Sequence, residues 1–286
     1  MTDPARPDDA PYRIGYYDKG PTPFFALQSD TRLSYCLYVP TDYDPDGEQT
    51  YPLIVLCHGT ERWPAHYRDN FSDFAKQHQA IVLAPLFPWN LFFVGDSENY
   101  KLLKMGDIRF DLALLSMVDE VAARYRLRSS KFLLHGFSGG GHFTHRFLYA
   151  HPERLLGASI GAPGVVTLCD ATLDYPLGLK GMAEFLGGPI NPDGIAHVPV
   201  QCVVGSADTD TWEITLTPNE TMYWVPGIND TGRTRIERLR SLATSLEKAG
   251  CSVRFDLVDG VDHDQDGIVP TVQSFFADIL NAEVKP

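Results

Sequence analysis

Apolar residues recur along this chain in two rhythms, and their alternation predicts the architecture. Short, continuous apolar runs at residues 53–57 and 80–85 read as buried strands, the first on both faces, and residues 131–135 read as the next strand. Residues 31–40 alternate apolar and polar side chains, which predicts a strand with one buried face. Further strand-like runs follow at 156–160, 198–204 and 252–258. Between them lie segments of helical character at 71–79, 107–125, 234–249 and 271–282, with another helix running from the glycine-rich turn after 135 to residue 150. The longest carries Ile108, Leu112, Leu115, Val118, Val121 and Ala122 at helical spacing. Strands alternating with helices predict an α/β fold: a doubly wound, mostly parallel sheet with helices on both faces.

The rest of the chain divides around that core. Residues 1–23 are rich in Pro and Asp and predict an irregular arm, leaving 24–286 as a single α/β domain. Three segments fit the alternation poorly: 87–104, 164–197 and 211–231. Each follows the C-terminal end of a predicted strand, the edge at which open α/β sheets carry their sites, so each is a candidate pocket wall or lid-like insertion.

Composition narrows the function classes. The 286 residues are 44% hydrophobic, enough for a core, and the net charge of −13 disfavours nucleic acid and anionic membrane as partners. Five scattered cysteines form no C-x-x-C pair and read as free thiols, with Cys57 and Cys202 in strand-like runs. The N-terminus has no apolar signal core and no run reaches membrane-span length, so the expected location is cytoplasmic. Asp262, Asp264, Asp266 and Gly267 match the opening of an EF-hand calcium loop, but Gln273 stands where a bidentate Glu is required. An acidic, solvated loop is expected there. No metal site is predicted, and no nucleotide-binding glycine motif indicates a cofactor.

Gly136-Phe-Ser138-Gly-Gly140 joins a predicted strand directly to a predicted helix. A serine on so sharp a turn is exposed at a helix N-terminus, where the dipole and free N–H groups favour developing negative charge. Its hydroxyl needs a base to take the proton and a carboxylate to orient that base. His263 follows the last strand, and Asp208 follows the strand before it, with Asp210 a competitor two residues on. Both loops lie on the same edge of the sheet as Ser138. His58-Gly59-Thr60 follows the first buried strand, so the amides of Gly139 and of Thr60 (or Gly59) are candidate donors to an oxyanion.

From about residue 31 to residue 280 the chain resembles the α/β-hydrolase superfamily. Gly136-Phe-Ser138-Gly-Gly-Gly141, His151-Pro-Glu-Arg154 and Ile160-Gly-Ala-Pro-Gly164 are similar to the polyhydroxybutyrate-depolymerase-like and dienelactone-hydrolase-like esterases. The resemblance implies a triad of Ser138, Asp208 and His263 with an oxyanion hole from Thr60 and Gly139. The function to expect is a serine hydrolase cleaving an ester, lactone or related acyl bond of a small or medium-sized substrate. The aromatic residues Trp89, Phe93, Trp212 and Trp224 are candidates for the substrate pocket. Acyl transfer or lyase chemistry on the same fold, peptide cleavage, and non-catalytic binding are the alternatives.

Overall fold

The computed structural model describes residues 12–218 and 224–284; residues 1–11 of the expected arm and 219–223 within the third inserted segment lie outside the described residues. In chain order the strands are β1 Gly20–Pro21, β2 Phe25–Ala26, β3 Ser34–Val39, β4 Leu53–Cys57, β5 Ile81–Leu86, β6 Lys104–Met105, β7 Ile108–Arg109, β8 Phe132–Phe137, β9 Leu155–Gly161, β10 Val200–Gly205 and β11 Val253–Val258. The helices are α1 Pro64–Asn70, α2 Ser72–His78, α3 Phe110–Arg124, α4 Gly139–Ala150, α5 Met182–Leu186, α6 Arg235–Lys248 and α7 Gln265–Val284.

One sheet takes the order β1-β3-β5-β4-β8-β9-β10-β11, with β2 also on β3, while β6 and β7 form a separate ladder. The six strands from β5 to β11 run parallel, and β3 joins antiparallel to β5. From β4 the chain runs outward to β5, then crosses back to β8 on the other side. That reversal of direction leaves a crevice beyond the C-terminal ends of β4 and β8, where open α/β sheets bind ligands.

Side chains on β8 show how helices cover both faces. Phe132 packs on Phe147 of α4, whereas His135, an odd number of residues away, stacks on Phe71 between α1 and α2. Phe71 in turn meets Phe276 of α7. Helices α1, α2 and α7 therefore share one face, and α4 lies on the other. Phe87 links α4 to the start of α3 through Phe143 and Phe110.

Several elements differ from the sequence expectation. Strand β3 is buried on both faces, not one, because its antiparallel place beside β5 lies within the sheet. Within the expected arm, Gly20 and Pro21 pair with Val39 and Tyr38 of β3. Helix α7 begins at Gln265, before Pro270. Pro270 lies inside that helix, in its second turn, where it forfeits one hydrogen bond and its ring crowds the carbonyl of residue 266. The acidic run from Asp262 to Gln273 consequently passes from a turn into a helix, and does not wrap as a twelve-residue cation loop. Asp266 instead meets His66 at 2.8 Å and the Asn70 amide at 2.7 Å.

Candidate active site

Ser138 sits at the junction of β8 and α4 with φ 54° and ψ −113°, a strained conformation for a residue with a side chain. Two hydrogen bonds hold it: its amide donates to the Gly161 carbonyl at 2.9 Å, and its carbonyl accepts from the His142 amide at 3.1 Å. The turn also requires close approach of two main chains. A Cβ at Gly140 would collide with the backbone carbonyl of Cys57 at the end of β4.

His263 and Asp208 reach Ser138 because β10 and β11 are parallel neighbours whose exit loops are tied together. The Ser206 amide donates to the Val258 carbonyl and the Ala207 amide to the Val261 carbonyl, both at 2.8 Å. His263 Nε2 lies 3.0 Å from Ser138 Oγ, and His263 Nδ1 lies 2.7 Å from Asp208 Oδ2. The imidazole packs on the Phe137 ring, with centroids 4.7 Å apart. Asp208 is buried, and its second oxygen accepts from Arg235 Nη1 at 3.2 Å. The other end of that guanidinium holds Glu213. Asp210, the competitor in the sequence, is exposed.

The turn after β4 is fixed from three sides. Tyr100 donates its hydroxyl to the His58 carbonyl at 2.9 Å, Tyr67 accepts the Gly59 amide at 3.1 Å, and Arg62 donates to the Thr60 carbonyl at 2.7 Å. The Gly59 amide is therefore occupied. Gly139 is the first residue of α4, so its amide has no partner within the helix. His58 accepts the Phe87 amide at Nε2, and burial pushes its pKa down to about 3. It is a neutral packing residue.

Ser138 and Thr60 open onto a cavity of about 470 Å³. Its wall carries charge that the hydrophobic pattern did not reveal. Lys101 is buried against Glu98 at 2.6 Å, and burial lowers its pKa while Glu98 opposes that shift. Arg235, Glu213 and His142 also line the cavity. His142 accepts the Val165 amide at Nε2, and burial drives its pKa well below the usual range. It braces the wall as a neutral ring. The nearest signal in the sequence for Arg235 is its place as the first residue of α6, where the helix dipole disfavours a cation.

Of the four aromatic candidates, Trp89 and Trp212 line the cavity, at 47% and 78% exposure, whereas Phe93 and Trp224 do not. Phe93 stands at the tip of a turn closed by the Asn90 amide on the Asp96 carbonyl and the Asp96 amide on the Phe93 carbonyl, which points its ring to solvent. Trp224 is half-buried elsewhere. All three inserted segments reach the wall, the second only through Gly164 and Val165. No helix among the described residues is long and apolar enough to cross a membrane. The five cysteines are free thiols, with Cys57 and Cys202 buried in β4 and β10.

No family model and no curated protein matches the chain. Solved structures do. Poly(aspartic acid) hydrolase-1 from Sphingomonas sp. KT-1 is 23% identical over 85% of this chain and 92% of its own, with a TM-score of 0.67. LpqC, a poly(3-hydroxybutyrate) depolymerase from Bordetella parapertussis, is 23% identical over 86% and 84%, with a TM-score of 0.66. An S-formylglutathione hydrolase from Agrobacterium tumefaciens is 14% identical over 94% and 97%, with a TM-score of 0.60. These likenesses identify the fold as the α/β-hydrolase fold.

Proposed function

We propose that the chain is a serine hydrolase, similar to the esterases of this fold, which cleaves an ester, lactone or related acyl bond of a small or medium-sized substrate. The observation that carries this reading is the unbroken line Ser138 Oγ–His263–Asp208 at the mouth of a cavity, with distances of 3.0 and 2.7 Å. His263 Nε2 takes the hydroxyl proton as Ser138 Oγ bonds to the substrate's acyl carbon. Asp208 accepts from Nδ1, holding the ring in the reactive tautomer and stabilising the imidazolium. The amides of Gly139 and Thr60 receive the oxyanion. His263 then returns its proton to the departing alcohol oxygen, leaving an acyl group on Ser138. Water attacks that acyl group with His263 again as base, and the acid leaves as Ser138 regains its proton.

Hydrolysis is favoured over acyl transfer by the open mouth, where Trp212 is largely in contact with solvent and Trp89 about half so. The names of the neighbouring structures, two hydrolases and a depolymerase, support acyl-bond cleavage as the reaction class. A fluorophosphonate probe with peptide mass spectrometry tests the reading. Stoichiometric labelling at Ser138, lost in His263→Ala, is the expected result. Folded protein that is not labelled, or is labelled equally in His263→Ala, overturns it.

A further inference from the structure

Arg235 is a costly residue where it stands. It is 2% exposed, so its guanidinium is removed from water, and it is the first residue of α6, where the positive end of the dipole repels a cation. Two carboxylates offset that cost. Nη1 meets Asp208 Oδ1 at 3.2 Å, and Nη2 meets Glu213. Asp208 thus has its two oxygens assigned to different partners, Oδ2 to His263 and Oδ1 to Arg235. One helical turn on, Arg238 donates to the carbonyls of Gly164 at 2.6 Å and Ile214 at 2.9 Å. The start of α6 therefore grips the cavity wall with two guanidiniums, of which Arg235 alone also reaches the carboxylate behind His263.

We propose that Arg235 is a positioning residue for the reaction at Ser138, fixing the rotation of the Asp208 carboxylate and tying it through Glu213 to the cavity wall. The proposal rests on the assignment of Ser138, His263 and Asp208 made above. A carboxylate held at only one oxygen can turn about its Cβ–Cγ bond, and His263 then loses its orientation for part of the time. Arginine suits this place because its rigid planar fork directs a separate donor to each carboxylate, whereas an ammonium group is a point charge without that fixed geometry. Glu213 stands on the segment whose neighbours Trp212 and Ile214 line the cavity, so the grip joins the substrate wall to the acid.

The test measures fluorophosphonate labelling rates at Ser138 in the wild type, Arg235→Met, Asp208→Asn and the double variant. Arg235→Met is expected to slow labelling about tenfold or more, the effect of a little over 1 kcal/mol on the barrier. In the Asp208→Asn background the same change is expected to matter less than about twofold, because the residue acts through that carboxylate. Equal losses in both backgrounds, or a single variant within twofold of wild type, overturn the proposal. If Arg235→Met does not fold, Arg235→Lys serves: it keeps the charge but not the fork, and wild-type rates there overturn the proposal equally. A wild type that is not labelled at all instead removes the assignment of Ser138, so the two failures are distinct.

Discussion

Asp208 and Asp210 stand two residues apart in the loop after β10, yet Asp208 is buried 2.7 Å from His263 while Asp210 faces solvent. The difference follows from the two amide bonds that clamp this loop to the one after β11, which turn residue 208 inward. Asp208→Asn is therefore expected to lower kcat on an activated ester by about 10³–10⁴-fold through loss of the correct tautomer. Asp210→Asn is expected to stay within about twofold, as an exposed substitution away from the reacting atoms. Steady-state kinetics of the two variants decide the matter, and the reverse ranking would reassign the carboxylate.

How much of this was legible in the sequence depends on how local each feature is. The serine turn could be read because strand, glycine-rich turn and helix follow one another directly around Ser138. The order of Ser138, Asp208 and His263 could be read because each follows a strand. Asp208 could be favoured over Asp210 only because it stands nearer the strand end, since the clamp that orients it comes from residues 50 or more positions away. Arg235 was not legible, because an arginine beside a helix start reads as a surface cation until the fold buries it. The start of α7 was hidden by Pro270, and α1 is a seven-residue helix with too few apolar positions for a periodic signal.

Gly139 and Gly140 are adjacent but answer to different constraints. A Cβ at Gly140 meets main chain, the Cys57 and His58 carbonyls, which cannot withdraw. Gly140→Ala should cost about 3 kcal/mol or more, or prevent folding. A Cβ at Gly139 meets side chains, the Tyr100 hydroxyl and Lys101 Cε. Gly139→Ala should fold but misplace the oxyanion donor, lowering kcat about 10²-fold. Thermal melts and kcat values for the two variants separate the two effects.

The cavity wall gives a prediction about binding. Trp89 and Trp212 border the opening, so Trp89→Ala and Trp212→Ala should raise KM several-fold through lost apolar contact, with a smaller effect on kcat. Phe93→Ala and Trp224→Ala, outside the wall, should leave KM within about twofold. A matched rise in KM for Phe93→Ala would mean that the turn at residues 90–96 folds over the substrate when it binds.

Four buried histidines make stability depend on pH. Burial lowers the pKa of His58 to about 3 and of His135 to about 4, and drives those of His142 and His145 well below the usual range. In the unfolded chain each imidazole accepts a proton near pH 6.5. Unfolding between about pH 6.5 and 4.5 therefore takes up protons, and stability falls as pH falls through that window. Each group that stays neutral in the folded protein contributes at most about 1.4 kcal/mol per pH unit, reached once its unfolded form is protonated. His145 is bound on both nitrogens, to the Gly141 carbonyl at 2.7 Å and from the Thr167 amide at 3.0 Å. His145→Gln should thus lower stability at pH 8 yet flatten the acid slope by about one proton. Urea midpoints at half-unit steps of pH measure that slope, and an unchanged slope in His145→Gln would show that this ring is already protonated in the folded protein.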